Sequence, residues 1–186
     1  MSDALPSRMT ASEFLAWAQQ QSGRYELVCG EVVAMAPERA AHNLVKYEIC
    51  RAFKDGVRSA ELTCQVFTDG MAVRIDDLTV YEPDATVRCG SRLGDDAIEF
   101  SDPIVVVEVL SPSTQAKDAG AKLSDYFRLP SVSHYLIVRT DTRTIIHHAR
   151  DREGTIITRI VTSGRLSLDP PGLGLGLDEI FAELES

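Results

Sequence analysis

The chain has 186 residues, 44% of them hydrophobic and 25% charged, which suits one globular domain, 1–186, with a sizeable core. No apolar run approaches the ~20 residues of a membrane span, and MSDALPSRMT lacks the regions of a secretory signal, so the expected compartment is the cytosol. A net charge of −9 argues against general coating of nucleic acid and leaves binding through a local basic face or a metal.

Thr10 followed by Glu13 is a capping-box pattern, and Phe14, Leu15 and Trp17 then predict a short helix to about residue 21. RYELVCGEVVAMAP reads as a β-hairpin turning at Cys29 and Gly30 and ending at Pro37. In AAHNLVKYEICRAFKDG the apolar residues Leu44, Val45, Ile49, Ala52 and Phe53 fall near helical spacing, with Gly56 as the expected C-cap. Strands are predicted over 63–68, 71–75, 79–87 and 104–110, and 90–101 reads as a loop.

QAKDAGAKLSDYFRL places Ala116, Ala119, Leu123, Tyr126 and Phe127 on one helical stripe, and Ser111, Ser113 and Thr114 are candidates to cap it. SHYLIVR, TRTIIHHAR, GTIITRIV and a run near Leu166 return to strand patterning, and LDEIFAEL closes the chain as a helix. His147 and His148 are adjacent on a predicted strand, so they point to opposite faces and cannot share a metal. GLGLGL, 172–177, lacks the GK[ST] ending of a phosphate loop and reads as a loop into the last helix. Cys29, Cys50, Cys64 and Cys89 form no CxxC pair, and in the cytosol they are expected to be reduced thiols. This order predicts a mixed α/β domain with one central sheet flanked by helices.

Two carboxylates stand out. Glu108 lies in PIVVVEVLSPST, an apolar run that reads as a buried strand, where an uncompensated charge costs several kcal/mol. Asp84 follows Pro83 in YEPDATV, at a strand edge or bulge, where an ordinary turn aspartate is the competing reading. Converging carboxylates repel unless a proton or a cation intervenes, and a hard divalent ion such as Mg²⁺ or Mn²⁺ suits oxygen ligands. Lys122, on the following helix, could reach the same place. No GxSxG elbow is present to support a serine hydrolase.

The stretches RYELVCGEVVAMAP, PDATV and VVEVLSPSTQAKDAGAKLSDYFRLPSVSHYLIV resemble the Uma family of restriction-endonuclease-like proteins, over about residues 10–184. That family lies in the PD-(D/E)XK nuclease superfamily, whose core is a mixed sheet flanked by helices. The resemblance implies that Asp84 and Glu108 bind the metal with the backbone carbonyl of Val109. It makes Lys122 the catalytic lysine, displaced onto the helix, because Leu110 occupies the superfamily's usual lysine position. Glu26 matches an additional N-terminal glutamate. For His42 a structural role is the simpler reading, and Asp118 is read equally as solvated, capping or functional. The implied activity is Mg²⁺- or Mn²⁺-dependent hydrolysis of phosphodiesters in DNA by a homodimer whose two sites cut both strands. The alternatives are an inactive binding module with the nuclease fold and a phosphodiesterase for RNA or a small molecule.

Overall fold

The computed structural model describes residues 8–110 and 119–184. The expected Ser111, Ser113 and Thr114 caps, Ala116 and Asp118 lie outside them. Helix α1 (Ala11–Ala18) starts at the expected capping box: the Thr10 N–H donates to Glu13 Oε2 at 2.8 Å, and the Glu13 N–H donates back to Thr10 Oγ1. Strands β1 (Tyr25–Val28) and β2 (Glu31–Ala34) form the hairpin, with Cys29 and Gly30 at φ 51° and 85°, the left-handed pair a tight two-residue turn requires.

Helix α2 (Ala40–Ser59) runs through Gly56 instead of ending there. A Cβ at Gly56 would lie 2.9 Å from Leu173 Cδ2, so the missing side chain serves a close approach and not a cap. The remaining elements are β3 (Cys64–Thr68), β4 (Ala72–Arg74), β5 (Val80–Tyr81), β6 (Ala85–Cys89), β7 (Glu99–Phe100), β8 (Val105–Leu110), α3 (Ala119–Tyr126), β9 (His134–Arg139), β10 (Thr144–Arg150), β11 (Ile156–Val161), β12 (Arg165–Leu168), β13 (Leu173–Gly176) and α4 (Leu177–Phe181).

The single predicted sheet is three. A mixed six-stranded sheet runs β11-β10-β9-β8-β6-β3, with β8 and β9 parallel; a five-stranded sheet runs β2-β1-β5-β4-β7; and β12 pairs with β13. The predicted strand 79–87 is the reason for much of this difference. It breaks at Pro83, which has no N–H for a ladder, so Tyr81 belongs to the five-stranded sheet and Ala85 to the six-stranded one. GLGLGL is likewise a strand and not a loop: Leu173 and Leu175 alternate into the core opposite α2. The predicted loop 90–101 contributes Glu99 and Phe100 to β7.

The two faces of the six-stranded sheet bury different partners. Val105, Val107 and Val109 face α2, where Val45, Ile49 and Phe53 pack with β12, β13 and α4. Val106 and Leu110 face the other cluster, with Tyr126 of α3 and Val73, Tyr81 and Phe100 from the five-stranded sheet. Strand alternation therefore turns Glu108 toward α3. His147 and His148 divide in the same way: His147 Nε2 is 2.9 Å from His134 Nδ1, while His148 stacks on Tyr135. One cysteine expectation is overturned: Cys64 and Cys89 sit directly opposite on β3 and β6 and form a disulfide, leaving Cys29 and Cys50 free. Spacing in sequence carries no information about that register.

Candidate metal and nuclease site

Where β1, the β5–β6 break, the end of β8 and α3 meet, an open cleft of about 260 Å³ gathers Glu26, Asp84, Glu108, Val109 and Lys122. All five sequence-predicted residues therefore line one space. His42, read above as structural, lines it too, with Glu38, Arg24 and Arg39.

Each side chain is placed by a backbone decision already described. The Pro83 break turns Asp84 inward; its N–H donates to the Val107 carbonyl, and its Oδ2 accepts the Val109 N–H at 2.7 Å. The same break exposes the Glu82 N–H, which donates to Glu26 Oε1 at 2.9 Å and so ties β1 to the site. On α3, Lys122 and Tyr126 are four residues apart and share one face. The Lys122 ammonium bridges Glu26 Oε1 at 2.9 Å and Glu108 Oε1 at 3.0 Å, and the Tyr126 hydroxyl donates to that same Glu108 oxygen at 2.8 Å. These bonds are what permit Glu108 in an apolar strand at 8% exposure.

One ammonium faces two carboxylates, and the electrostatics follow from that count. Burial pushes the Glu108 carboxyl upward; Lys122 pulls it down, while Glu26 and Asp84 push it further up, and the net direction is up. Burial would lower Lys122, but Glu108 and Glu26 outweigh it and keep the ammonium charged. A buried carboxyl held up beside a lysine is the kind of perturbed group that marks chemical sites.

A second group stands across Asp84. His42 Nε2 lies 2.8 Å from Asp84 Oδ1, and one ligand atom each from Glu38, His42 and Asp84 all fall within 4.8 Å of one another. These three could coordinate a divalent metal. Glu38 is also fixed from behind, since Lys46 Nζ donates to it at 2.6 Å and Arg24 Nη1 at 2.7 Å. Burial alone would raise the Glu38 carboxyl, but Lys46 and Arg24 hold it down at about 2, so it stays anionic. Sequence reasoning missed Glu38 and Tyr126. Glu38 follows the hairpin with no motif around it; Tyr126 offered one signal, its i+4 spacing from Lys122, which a core reading absorbed.

Comparison with known proteins agrees with the fold. The Uma2 family, described as "Putative restriction endonuclease", matches residues 11–180. The uncharacterized protein slr1290 of Synechocystis is 28% identical over 179 residues, covering 95% of this chain and 93% of that protein. A second Synechocystis protein, sll1609, also uncharacterized, is 23% identical over 145 residues, covering 76% of this chain and 81% of its own length. Among solved structures, one titled as a "putative nuclease belonging to DUF820" from Anabaena variabilis superposes with a TM-score of 0.78 at 16% identity, covering 95% of this chain and 99% of that one. That likeness establishes a restriction-endonuclease-like fold.

Proposed function

This chain belongs to the Uma2 family, and from that premise we propose that it is a metal-dependent endonuclease hydrolysing phosphodiester bonds in DNA. The observation that carries the reading is the meeting of Asp84, Glu108, Lys122 and Glu26 in one cleft, beside the Glu38, His42 and Asp84 cluster. The donors fit a hard divalent ion, because carboxylate oxygens dominate, and the single imidazole suits Mn²⁺ better than Mg²⁺. Asp84, Glu108 and the Val109 carbonyl would hold it, with Glu38 and His42 as further ligands on the opposite side of Asp84. When bound, such an ion supplies Lewis-acid stabilisation and a more acidic water.

The chain's own groups have distinct tasks. Lys122 can release one carboxylate and turn its ammonium to a phosphate oxygen, where charge builds as the bond breaks. Glu26 keeps that ammonium at the site until then. Tyr126 fixes one oxygen of Glu108 and so orients the carboxylate. His42 would hold a bound metal beside Asp84, whose Oδ1 lies 2.8 Å from its Nε2. A homodimer would set two such clefts against the two strands of a duplex.

The test is cleavage of several DNA forms with Mg²⁺ or Mn²⁺ by wild type, Asp84→Ala and Glu108→Ala. Loss of activity in both variants with the fold intact is expected; equal activity in all three proteins refutes the proposal. One observation favours a second reading, a non-catalytic binding module: the Lys122 ammonium is already engaged by both Glu26 and Glu108. Calorimetry with Mn²⁺ separates the two, because a binding module shows no uptake that depends on Asp84.

A further inference from the structure

Helix α2 carries a local excess of positive charge. Residues 39–59 hold five Lys and Arg side chains against two carboxylates, in a protein of net charge −9. Lys46 is buried and turned to Glu38 and Asp69, but the other four cations are on the outer face. Arg39, Asn43, Tyr47, Arg51, Lys54 and Arg58 recur at intervals of four or three, so they form one stripe along the helix. The opposite side, with Val45, Ile49 and Phe53, is fixed against the sheet. Tyr47 is 63% exposed, with its neighbour Leu44 at 38%.

The stripe begins at the cleft. Arg39 and His42 line it, and the 20 residues of α2 lead away over about 30 Å. Arg51, Lys54 and Arg58 stand about one turn apart, ~5–6 Å along the axis, with Arg39 ~18 Å before them at the cleft, and such a row suits a polyanion lying lengthwise. Arg51 pairs with Glu48, whose side chain is largely covered, and Arg58 with Asp55; the second is an exposed pair of small worth that a phosphate can displace, and Arg51 keeps half of its side chain exposed. An exposed aromatic ring among the cations adds what a simple polyanion does not use: a face on which a base can stack, provided the base is unpaired.

We infer that the outer face of α2 is a track for an unpaired DNA strand leaving the cleft, with Arg39, Arg51, Lys54 and Arg58 on its phosphates and Tyr47 stacked on a base. This rests on the nuclease reading for the substrate class, not for the charge pattern. An acidic protein can in this way hold a polyanion through a local basic face.

The experiment measures anisotropy of a fluorescein-labelled oligo(dT) strand with EDTA present, so that cleavage plays no part. The proteins are wild type, the triple variant Arg51→Gln/Lys54→Gln/Arg58→Gln, and Tyr47→Ala, all substitutions on the exposed face. The triple variant should bind at least ~10-fold more weakly, with a log–log salt slope shallower by about 2, from three lost contacts of ~0.7 each. Tyr47→Ala should bind about 10-fold more weakly at an unchanged slope. No binding by wild type overturns the inference. So does affinity within twofold of wild type in either variant, or tighter binding of a duplex that ignores Tyr47, or a preference for phosphatidylserine vesicles over the strand. A wild type that binds through α2 yet cleaves nothing refutes the nuclease reading and leaves the track standing.

Discussion

The Tyr126 hydroxyl donates to Oε1 of Glu108 over 2.8 Å, between a helix and a strand that have no other polar tie than Lys122 among the described residues. Tyr126 is fully buried, its ring packed between Tyr81 and Tyr135 at centroid distances of 5.4 and 5.1 Å. The phenol therefore cannot swing away, and the carboxylate takes its orientation from it. Tyr81 repeats the arrangement one residue along, donating to Asp125 Oδ2 at 2.6 Å.

Tyr126→Phe keeps the stacked ring and deletes one hydroxyl. The bond has a charged acceptor in a buried place, so its loss is expected to destabilise the fold by about 1.5–3 kcal/mol in urea unfolding. Nuclease activity should fall with substrate affinity unchanged, because the lost group orients Glu108 and touches no substrate. Unaltered turnover in a folded Tyr126→Phe protein would show that Glu108 is oriented without it.

Lys122→Met removes the one cation between Glu26 and Glu108. Breaking a buried pair from one side costs about 3–5 kcal/mol, because uncompensated charge remains. The loss should be largest near neutral pH. Glu108, already pushed up by burial, favours protonation once the ammonium is gone, so lowering the pH removes its charge and recovers part of the stability. Urea unfolding at pH 7 and pH 5 checks this; a variant whose deficit grows at pH 5 contradicts it.

Divalent metal should stabilise the protein through the carboxylate cluster. At 100 times the dissociation constant the gain is about 2.7 kcal/mol, seen as a rise in melting temperature that EDTA reverses. Asp84→Asn, common to both halves of the cluster, should abolish the rise with Mn²⁺. Glu38→Gln and His42→Ala should each weaken it. If neither of the latter two alters the Mn²⁺ response, the ion sits only on the Glu108 side of Asp84.

Much of this site is visible in local sequence. Glu108 is conspicuous because a charge in VVVEVL contradicts its surroundings, and Pro83 beside Asp84 marks an irregular backbone. What a single sequence hides is pairing across distance. Nothing in YEPDATV says that the chain changes sheets at Pro83, since the partners of β5 and β6 lie elsewhere in the chain. The Cys64 to Cys89 disulfide is hidden for the same reason, being a matter of strand register. His42 looked like an ordinary helix residue because its role depends on Asp84, 42 positions away. Gly56 misled in the opposite direction: its purpose is room for Leu173, a residue no local window contains.

His147 gives the fold a pH dependence independent of the cleft. Its ring is 3% exposed, its Nε2 meets His134, and its buried Nδ1 has no hydrogen-bond partner among the described residues. Burial lowers its pKa from 6.5 to about 4, with His134, Arg159 and His148 adding to the effect. His134 is lowered as well, chiefly by burial. A histidine depressed in the folded state binds its proton more readily when unfolded, so folding stability increases with pH across the interval between the two values. The contribution is complete above about pH 6.5 and is lost as the pH falls toward 4, amounting to at most about 3 kcal/mol for a shift of this size. Glu108, raised in the fold, contributes with the opposite sign over the same interval, so the share of His147 is read by comparing urea midpoints of wild type and variant from pH 7.5 down to pH 4.5. His147→Leu, which cannot take up the proton, should lose less stability than wild type toward pH 4.5; an identical pH dependence in the two proteins would assign it to other groups.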